Sequence, residues 1–350
     1  MRVRIKDIAE KANVSIGTVD RVLHNRGEVS PGTRKKILGI IHKLKYEPDI
    51  LARALKSNKN YIIAVIIPGG NLDNHFWQEP LDGIKEGLNE ISHYGFAIKE
   101  FLFNQFDKSS FITCSDLALA EKPDAILIAP VFYQESMAFL DKCSSENIPF
   151  LLINSNINHD MQLSFIGQNS ERSGRVAAQL MGFELRKKAT ILIVNIAREK
   201  DNYNHILKRE QGFAEYFRNR ECYTDVKLIR RDINTTDEHI IIEKLSKTFN
   251  EIDNVSGIFV TNSRVHKVAR FLMDEKCEKT KLIGYDLIGP NIDYMKSGII
   301  DFLISQKPKE QGYKGIISLF NHFVMNRSPE PVIHIPIDII TSENLEYYIN

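Results

Sequence analysis

The chain has 350 residues, 43% hydrophobic and 26% charged, with a formal net charge of +1. This composition excludes collagen-like, low-complexity and strongly polyionic chains, and is that of a globular protein of two or three domains. No apolar run reaches the roughly 18 residues of a membrane helix, and the first residues carry no secretory apolar region, so a cytoplasmic protein is expected. Cys114, Cys143, Cys222 and Cys277 are scattered, with no CxxC pair and no clustered histidines. Reduced thiols are expected, and no metal or cofactor.

The first sixty residues come first in the chain and carry the clearest signal. Residues 4–12 put Ile5, Ile8, Ala9 and Ala12 on one face, the stripe of a short amphipathic helix. Asn13-Val14 breaks it. Ser15 stands as N-cap of a second helix through Thr18, Val19, Val22 and Leu23. Ser30-Pro31 opens a third, over about 31–45, with proline at its first position. Residues 1–60 hold 14 Lys+Arg against 6 Asp+Glu, whereas the other 290 residues hold 32 against 39. A basic unit of three capped helices on a mildly acidic body predicts nucleic-acid binding at one end. Residues 1–48 form this head. Residues 49–60 follow a stop at Tyr46-Glu47-Pro48 and have helix propensity, but they are too short to hold a helix alone. They read as a linker, helical only when something supports it.

From residue 61 apolar runs alternate with amphipathic stretches. The runs are 62–67, 96–103, 125–129, 149–154, 163–166, 190–195, 226–229, 257–260, 281–285, 302–305 and 332–340. The helical stretches are 78–94, 110–121, 134–146, 170–187, 205–217, 236–250, 265–276 and 308–325. Strand–helix alternation predicts parallel, doubly wound α/β sheets. Eleven strands exceed one compact sheet, so 61–350 is expected to form two lobes around a cleft. The first would comprise about 61–166 and 288–335, the second about 167–287 and 336–350, with crossings near Gly167, Leu287 and Ile335.

Open α/β sheets bind ligands beyond the carboxyl ends of their strands. After the first run comes Asn74-His75-Phe76-Trp77, with the only tryptophan of the chain. Its aromatic faces suit sugar rings or planar bases; a hydrophobic staple onto the next helix is the alternative. Asn154-Ser155-Asn156 ends another run. Arg209 opens a helix and could fork onto hydroxyls or a carboxylate, or lie on the surface. Asn262, Asp286 and Gln306 each follow a run. Mixed amide and carboxylate groups facing aromatics predict a pocket for a small polar ligand. Phosphate-loop, dinucleotide, zinc-protease and nucleophile-elbow motifs are absent, so an enzyme is not expected.

Residues Ile5-Lys-Asp7-Ile-Ala9, Val14-Ser15-Ile16-Gly17-Thr18-Val19-Asp20-Arg21-Val22-Leu23, Ser30-Pro31, Thr33-Arg34, Tyr46-x-Pro48 and Ala52-Arg53-Ala-Leu55 together resemble the lactose-repressor (LacI-type) transcription regulators. The body, through Asn74-x-Phe76-Trp77, Arg209-x-x-Gly212-Phe213, Gly284-x-Asp286 and Gln306, resembles the ribose-type branch of the periplasmic sugar-binding fold. The resemblance implies a homodimeric, helix-turn-helix repressor on a pseudo-palindromic DNA operator, controlled by a sugar, sugar acid or polyol between the lobes. It implies base reading by Ile16, Gly17 and Arg21, phosphate contacts from Ser15, Thr18, Ser30 and Thr33, and a minor-groove wedge at Leu55 in a hinge helix. It assigns the effector to Asn74, Phe76, Trp77, Asn154, Arg209, Asn262, Asp286 and Gln306. Gly17 and Asp20 depart from the usual head. Asn154-Ser155 stands where ribose-type pockets often carry Asp-Arg. After the last run too few residues remain for a tetramer-forming heptad tail, so a dimer is expected. A sugar-binding protein without regulatory role, a sugar-processing enzyme, and a constitutive DNA binder with a vestigial pocket are the alternative readings.

Overall fold

A computed structural model describes residues 3–23, 26–44, 46, 59–69, 75–185, 188–197, 204–252, 254–275, 277 and 279–349. The expected hinge helix with Leu55, and the ligand candidate Asn74, lie outside the described residues. The chain divides into two units, Met1–Ser57 and Asn58–Asn350.

In the first unit, helices α1 (Ile5–Ala12), α2 (Ile16–Leu23) and α3 (Pro31–Lys43) surround a small core of Ile8, Ala9, Ala12, Val19, Val22 and Ile37. The caps follow from the residue types. Arg4 N–H donates to the Asp7 carboxylate at 2.8 Å, and Asn13 ends α1 in the left-handed region at φ 55°. Ser15 Oγ accepts from Thr18 N–H at 3.2 Å, and Ser30 Oγ from Thr33 N–H at 3.3 Å. Each cap satisfies a donor that the first helical turn leaves open.

The second unit holds two six-stranded sheets. The strands of the first are β1 (Tyr61–Pro68), β2 (Phe96–Phe103), β3 (Ala125–Ile128), β4 (Phe150–Ile153), β5 (Ser164–Gly167) and β11 (Val332–His334), in the order β11-β5-β4-β3-β1-β2. All its pairings are parallel. Those of the second are β6 (Ala189–Ile196), β7 (Val226–Ile233), β8 (Val255–Val260), β9 (Lys281–Tyr285), β10 (Phe302–Ser305) and β12 (Asp338–Ile340), in the order β12-β10-β9-β8-β6-β7. Only β12 runs antiparallel. Central strands such as β3 and β4 are buried throughout, which is why they are unbroken apolar runs, whereas the edge strand β2 alternates.

Helices α4 (Gln78–Ile91), α5 (Lys108–Ala120) and α6 (Tyr133–Ser145) connect strands of the first sheet. Helices α7 (Ser170–Glu184), α8 (Asn204–Arg218), α9 (Glu238–Glu251), α10 (Val265–Asp274) and α11 (Gly289–Lys296) serve the second. Helix α12 (Pro308–Phe323) returns to the first lobe and packs on α4.

Two expectations need correction. Strand β10 pairs with β9 and β12, so residues 302–305 lie in the second sheet and the second crossing falls at Gln306-Lys307, not at Leu287. The reason is α11, which the sequence reading omitted: Met295 and Ile300 enter the same core as Leu272, Leu303 and Ile340. The run 332–340 is also not one strand. Pro336 lacks a donor, and it separates β11 of the first sheet from β12 of the second. The crossings are tied together by Gln168, whose buried Nε2 donates to Ser305 O at 2.7 Å and Pro336 O at 2.9 Å.

Candidate functional site

The carboxyl ends of both sheets face one cleft. It is lined from the first lobe by Phe76, Trp77, Gln105, Val131 and Asn154, and from the second by His205, Ile206, Arg209, Asn262, Ser263, Arg264, Asp286 and Gln306. The space between these side chains is about 50 Å³, room for a few waters and less than a sugar ring needs, so a ligand of that size requires them to move apart. A larger open groove of about 790 Å³ lies beside the crossings and shares Asp286. The convergent, buried polar side chains belong to the smaller cleft, which is the better candidate.

On the first-lobe wall Phe76 and Trp77 meet edge to face at 5.0 Å, and Trp77 Nε1 donates to Gln105 Oε1 at 3.2 Å. Asn154 leaves β4 at φ 67°, where a short amide side chain is tolerated. Its backbone N–H donates to Gln311 Oε1 at 2.8 Å. Ser155 Oγ lies 2.9 Å from His205 Nδ1, a contact between lobes. Asn204 Nδ2 adds a second, to Asn156 O at 3.2 Å.

On the second-lobe wall Arg209 is almost fully buried. Its Nη1 donates to Thr261 O at 2.9 Å, its Nη2 donates to Gln306 Oε1, and its guanidinium carbon sits 3.8 Å from the Tyr285 ring centre. Among the described residues Arg209 Nε has no hydrogen-bond partner. A buried donor without an acceptor is costly, about 1–3 kcal/mol, and a ligand oxygen would relieve it. The Tyr285 hydroxyl is itself fixed by Ser173 Oγ at 2.8 Å. Asp286 adopts φ 69°, and both its oxygens accept from Gln306 Nε2, at 3.0 and 2.8 Å. Burial pushes its pKa up to about 6, opposed by Arg209 and by the Gln306 bonds. Asn262 spans Ile196 O, at 2.8 Å, and Arg264 N–H, at 3.1 Å. Burial, then Arg209 and Arg264, hold His205 well below the ordinary imidazole range, so it is neutral.

Helix packing sets the position of Arg209. Glycines let α7 and α8 touch: a Cβ on Gly174 would stand 2.0 Å from Arg209 O, and one on Gly212 would stand 1.9 Å from Glu171 O. Arg209 precedes Gly212 by one turn of α8, so the close approach carries the guanidinium onto Tyr285.

Of the expected ligand residues, Phe76, Trp77, Asn154, Arg209, Asn262, Asp286 and Gln306 converge on this one cavity. The sequence reading missed Gln105, His205 and Arg264. His205 carried a usable signal, lying four residues before Arg209 on the same face of α8. It also missed the supports Ser173 and Asn291. Asn291 is fully buried, and its Nδ2 donates to the carbonyls of Ser263, Tyr285 and Asp286.

In the first unit Ser15, Ile16, Gly17 and Arg21 are exposed on and before α2, with Ile16 52% exposed although aliphatic. Thr18 and Thr33 are half-buried. Ser15 and Thr18 hydroxyls bond each other at 2.9 Å, and Ser30 donates to Thr33 Oγ1 at 2.8 Å. A Cβ at Gly17 would meet only Ser15 Oγ, at 3.8 Å, so this stretch of α2 is open on its outer side. Among the described residues no helix is long and apolar enough to cross a membrane.

This arrangement is that of a two-lobed binding core carrying a helix-turn-helix unit. Residues 63–323 match the periplasmic binding protein domain model, and residues 4–49 match that of the bacterial regulatory proteins of the lacI family. The chain belongs to the periplasmic binding protein domain family over most of its length, and its head is matched by the lacI-family model. The transcriptional regulator DegA of Bacillus subtilis is 30% identical over 154 residues, 44% of each chain, so the match spans less than half of that relative's length. The ribose operon repressor of Lactococcus lactis is 24% identical over 288 residues, 81% of this chain and 80% of its own. A solved structure assigned to the LacI transcriptional regulators, from Bacteroides fragilis, superposes with a TM-score of 0.73 at 27% identity, covering 83% of this chain and 100% of its own. A solute-binding protein of Agrobacterium vitis, bound to tagatopyranose, reaches 0.72 at 23% identity over 82% of this chain and 96% of its own, a likeness of fold.

Proposed function

We propose that this protein is a cytoplasmic, homodimeric transcription repressor whose head reads a pseudo-palindromic DNA operator and whose core binds a small carbohydrate-like effector between the lobes. The observation that carries this reading is the convergence of aromatic, amide, guanidinium and carboxylate side chains from both lobes on one cleft, in a chain with a lacI-type head. Regulation is the role that the lacI-type head and the DegA and ribose-operon relatives support.

In this reading α2 enters the major groove, with Ile16, Gly17 and Arg21 at base edges. Ser15, Thr18, Ser30 and Thr33 hydroxyls meet phosphates, and Leu55 wedges the minor groove. Phe76 and Trp77 stack on the effector, Asn74 and Asn154 bond it from the first lobe, and Arg209, Asn262, Asp286 and Gln306 bond it from the second. An effector shifts operator affinity only to the extent that it binds the open and closed cores differently. Parting and closing at Gly167, Gln306-Lys307 and Ile335 is the motion available to it.

The test selects an operator from random duplexes with the full chain, then screens sugars, sugar acids and polyols by thermal shift. A selected palindrome and a stabilising effector support the reading. A chain that selects no sequence contradicts the first half of it, and no response to any such compound contradicts the second.

A further inference from the structure

Asn195 stands one residue before the end of β6, behind the second-lobe wall of the cleft. It is 3% exposed, yet it is not among the residues that line the cleft. Both ends of its amide are engaged. Nδ2 donates to Glu210 Oε2 at 3.0 Å and to Asp232 Oδ1 at 2.9 Å, and Oδ1 accepts from Thr261 Oγ1 at 2.7 Å. These partners stand on α8, on β7 and just beyond β8. Two of them adjoin Arg209. Glu210 follows it on α8, and the carbonyl of Thr261 accepts from Arg209 Nη1 at 2.9 Å. Arg230 Nε lies 3.1 Å from Glu210 Oε1 and 3.2 Å from Asp232 Oδ1, so one amide and one guanidinium share the same two carboxylates.

We propose that Asn195 is a positioning residue of the effector site: it fixes Arg209 from behind, through Thr261 on one side and Glu210 on the other. The inference rests on the reading of the cleft as the effector site. The residue type suits the place. Two donors on one nitrogen meet two carboxylates, and the carbonyl meets a hydroxyl. A carboxylate here would face two others, and like charges so close are unfavourable. An apolar residue would strand the fully buried Thr261 hydroxyl without its acceptor. Arg209 is a long side chain, and holding it in one geometry costs rotamer entropy. The Thr261 carbonyl can hold the guanidinium only if the chain beyond β8 is itself held, which the Thr261–Asn195 bond does. A donor fixed in advance loses less freedom when a ligand arrives.

Hydrogen exchange of the Arg209 Nε–H tests this, read by heteronuclear NMR in the unliganded full chain and identified as the signal lost in Arg209→Lys. In Asn195→Ala that proton should exchange about tenfold or more faster than in the wild type. The milder Thr261→Val, which keeps the carbonyl and removes the hydroxyl, should do the same. Leu245→Ala, at a fully buried position on α9 of the same lobe, weakens the core away from this network and should leave the rate unchanged. Equal rates in the wild type and Thr261→Val, or an equal acceleration in Leu245→Ala, overturns the proposal. Isothermal titration with D-ribose, D-glucose and D-glucitol reads the consequence. Each probe that the wild type binds should bind Asn195→Ala and Thr261→Val about tenfold more weakly, and an undiminished affinity overturns the proposal too. Silence of the wild type toward all three, with exchange accelerated as expected, counts against the effector reading and leaves the positioning of Arg209 standing.

Discussion

Ser155 and His205 hold the two lobes together across the cleft: the serine Oγ, just beyond β4, lies 2.9 Å from Nδ1 of the histidine at the start of α8. The bond suits a neutral imidazole, which buried surroundings and two neighbouring arginines enforce. A histidine held below its ordinary value contributes stability that is present above the unfolded pKa, about 6.5, and is lost as pH falls toward the folded value. The closed core should therefore lose stability below about pH 6.5 by this route. The slope is read as the difference between the wild type and His205→Asn in melting temperature across pH 5 to 7, and identical slopes would contradict it.

Glu79 should act in the opposite sense. Burial, then Asp286 and Asp82, raise its pKa from 4.5 to about 7, against Lys309. The folded state binds this proton more tightly than the unfolded state. Its ionisation therefore destabilises the core increasingly as pH rises from 4.5 to about 7. Glu79→Gln should flatten that part of the stability–pH curve and raise stability at pH 8. Denaturant titrations at pH 5 and 8 check this, and a variant no more stable than wild type at pH 8 contradicts it.

Gly212→Ala should be costly although the change is one methyl. The added Cβ would sit 1.9 Å from Glu171 O, a backbone atom that cannot turn aside. The α7–α8 pair must spread, at about 1–3 kcal/mol, carrying Arg209 off Tyr285. Effector affinity should fall with stability. Gly289→Ala, with nothing within 4 Å, is the control and should be near neutral.

Much of this was legible in the chain, and the failures have physical causes. The head declared itself because its caps are local: Ser15, Ser30-Pro31 and Asn13 each act within three residues. Buried parallel strands such as β3 and β4 declared themselves as unbroken apolar runs. Arg209, Asn262, Asp286 and Gln306 were legible as candidates because they stand at the ends of strands and near the start of a helix, and the fold brings them to one cleft. The crossing at Gln306-Lys307 was misplaced because β10 is apolar enough for either sheet, and only the docking of Met295 and Ile300 decides between them. Gln168 and Ser173 were invisible because their partners lie far away in sequence, at Ser305 and Pro336 and at Tyr285, and Asn291 because it stands on α11, which the alternation of runs did not reveal.

The two units should separate energetically. Ile37 is fully buried in the six-residue core of the head. Ile37→Ala should cost about 2–5 kcal/mol, enough to unfold so small a domain. Calorimetry should then lose the head transition and keep that of the core, while operator binding is abolished and effector binding persists. Loss of both transitions would show that the core depends on the head.

The most direct test is operator affinity of the full chain by fluorescence anisotropy, with and without saturating effector, in the wild type and in Arg209→Ala. Saturating effector should change the wild-type Kd by about five-fold or more. The same compound should leave the operator Kd of Arg209→Ala unchanged at that concentration. A wild-type Kd indifferent to the effector, or an equal shift in Arg209→Ala, would contradict control of DNA binding from this cleft.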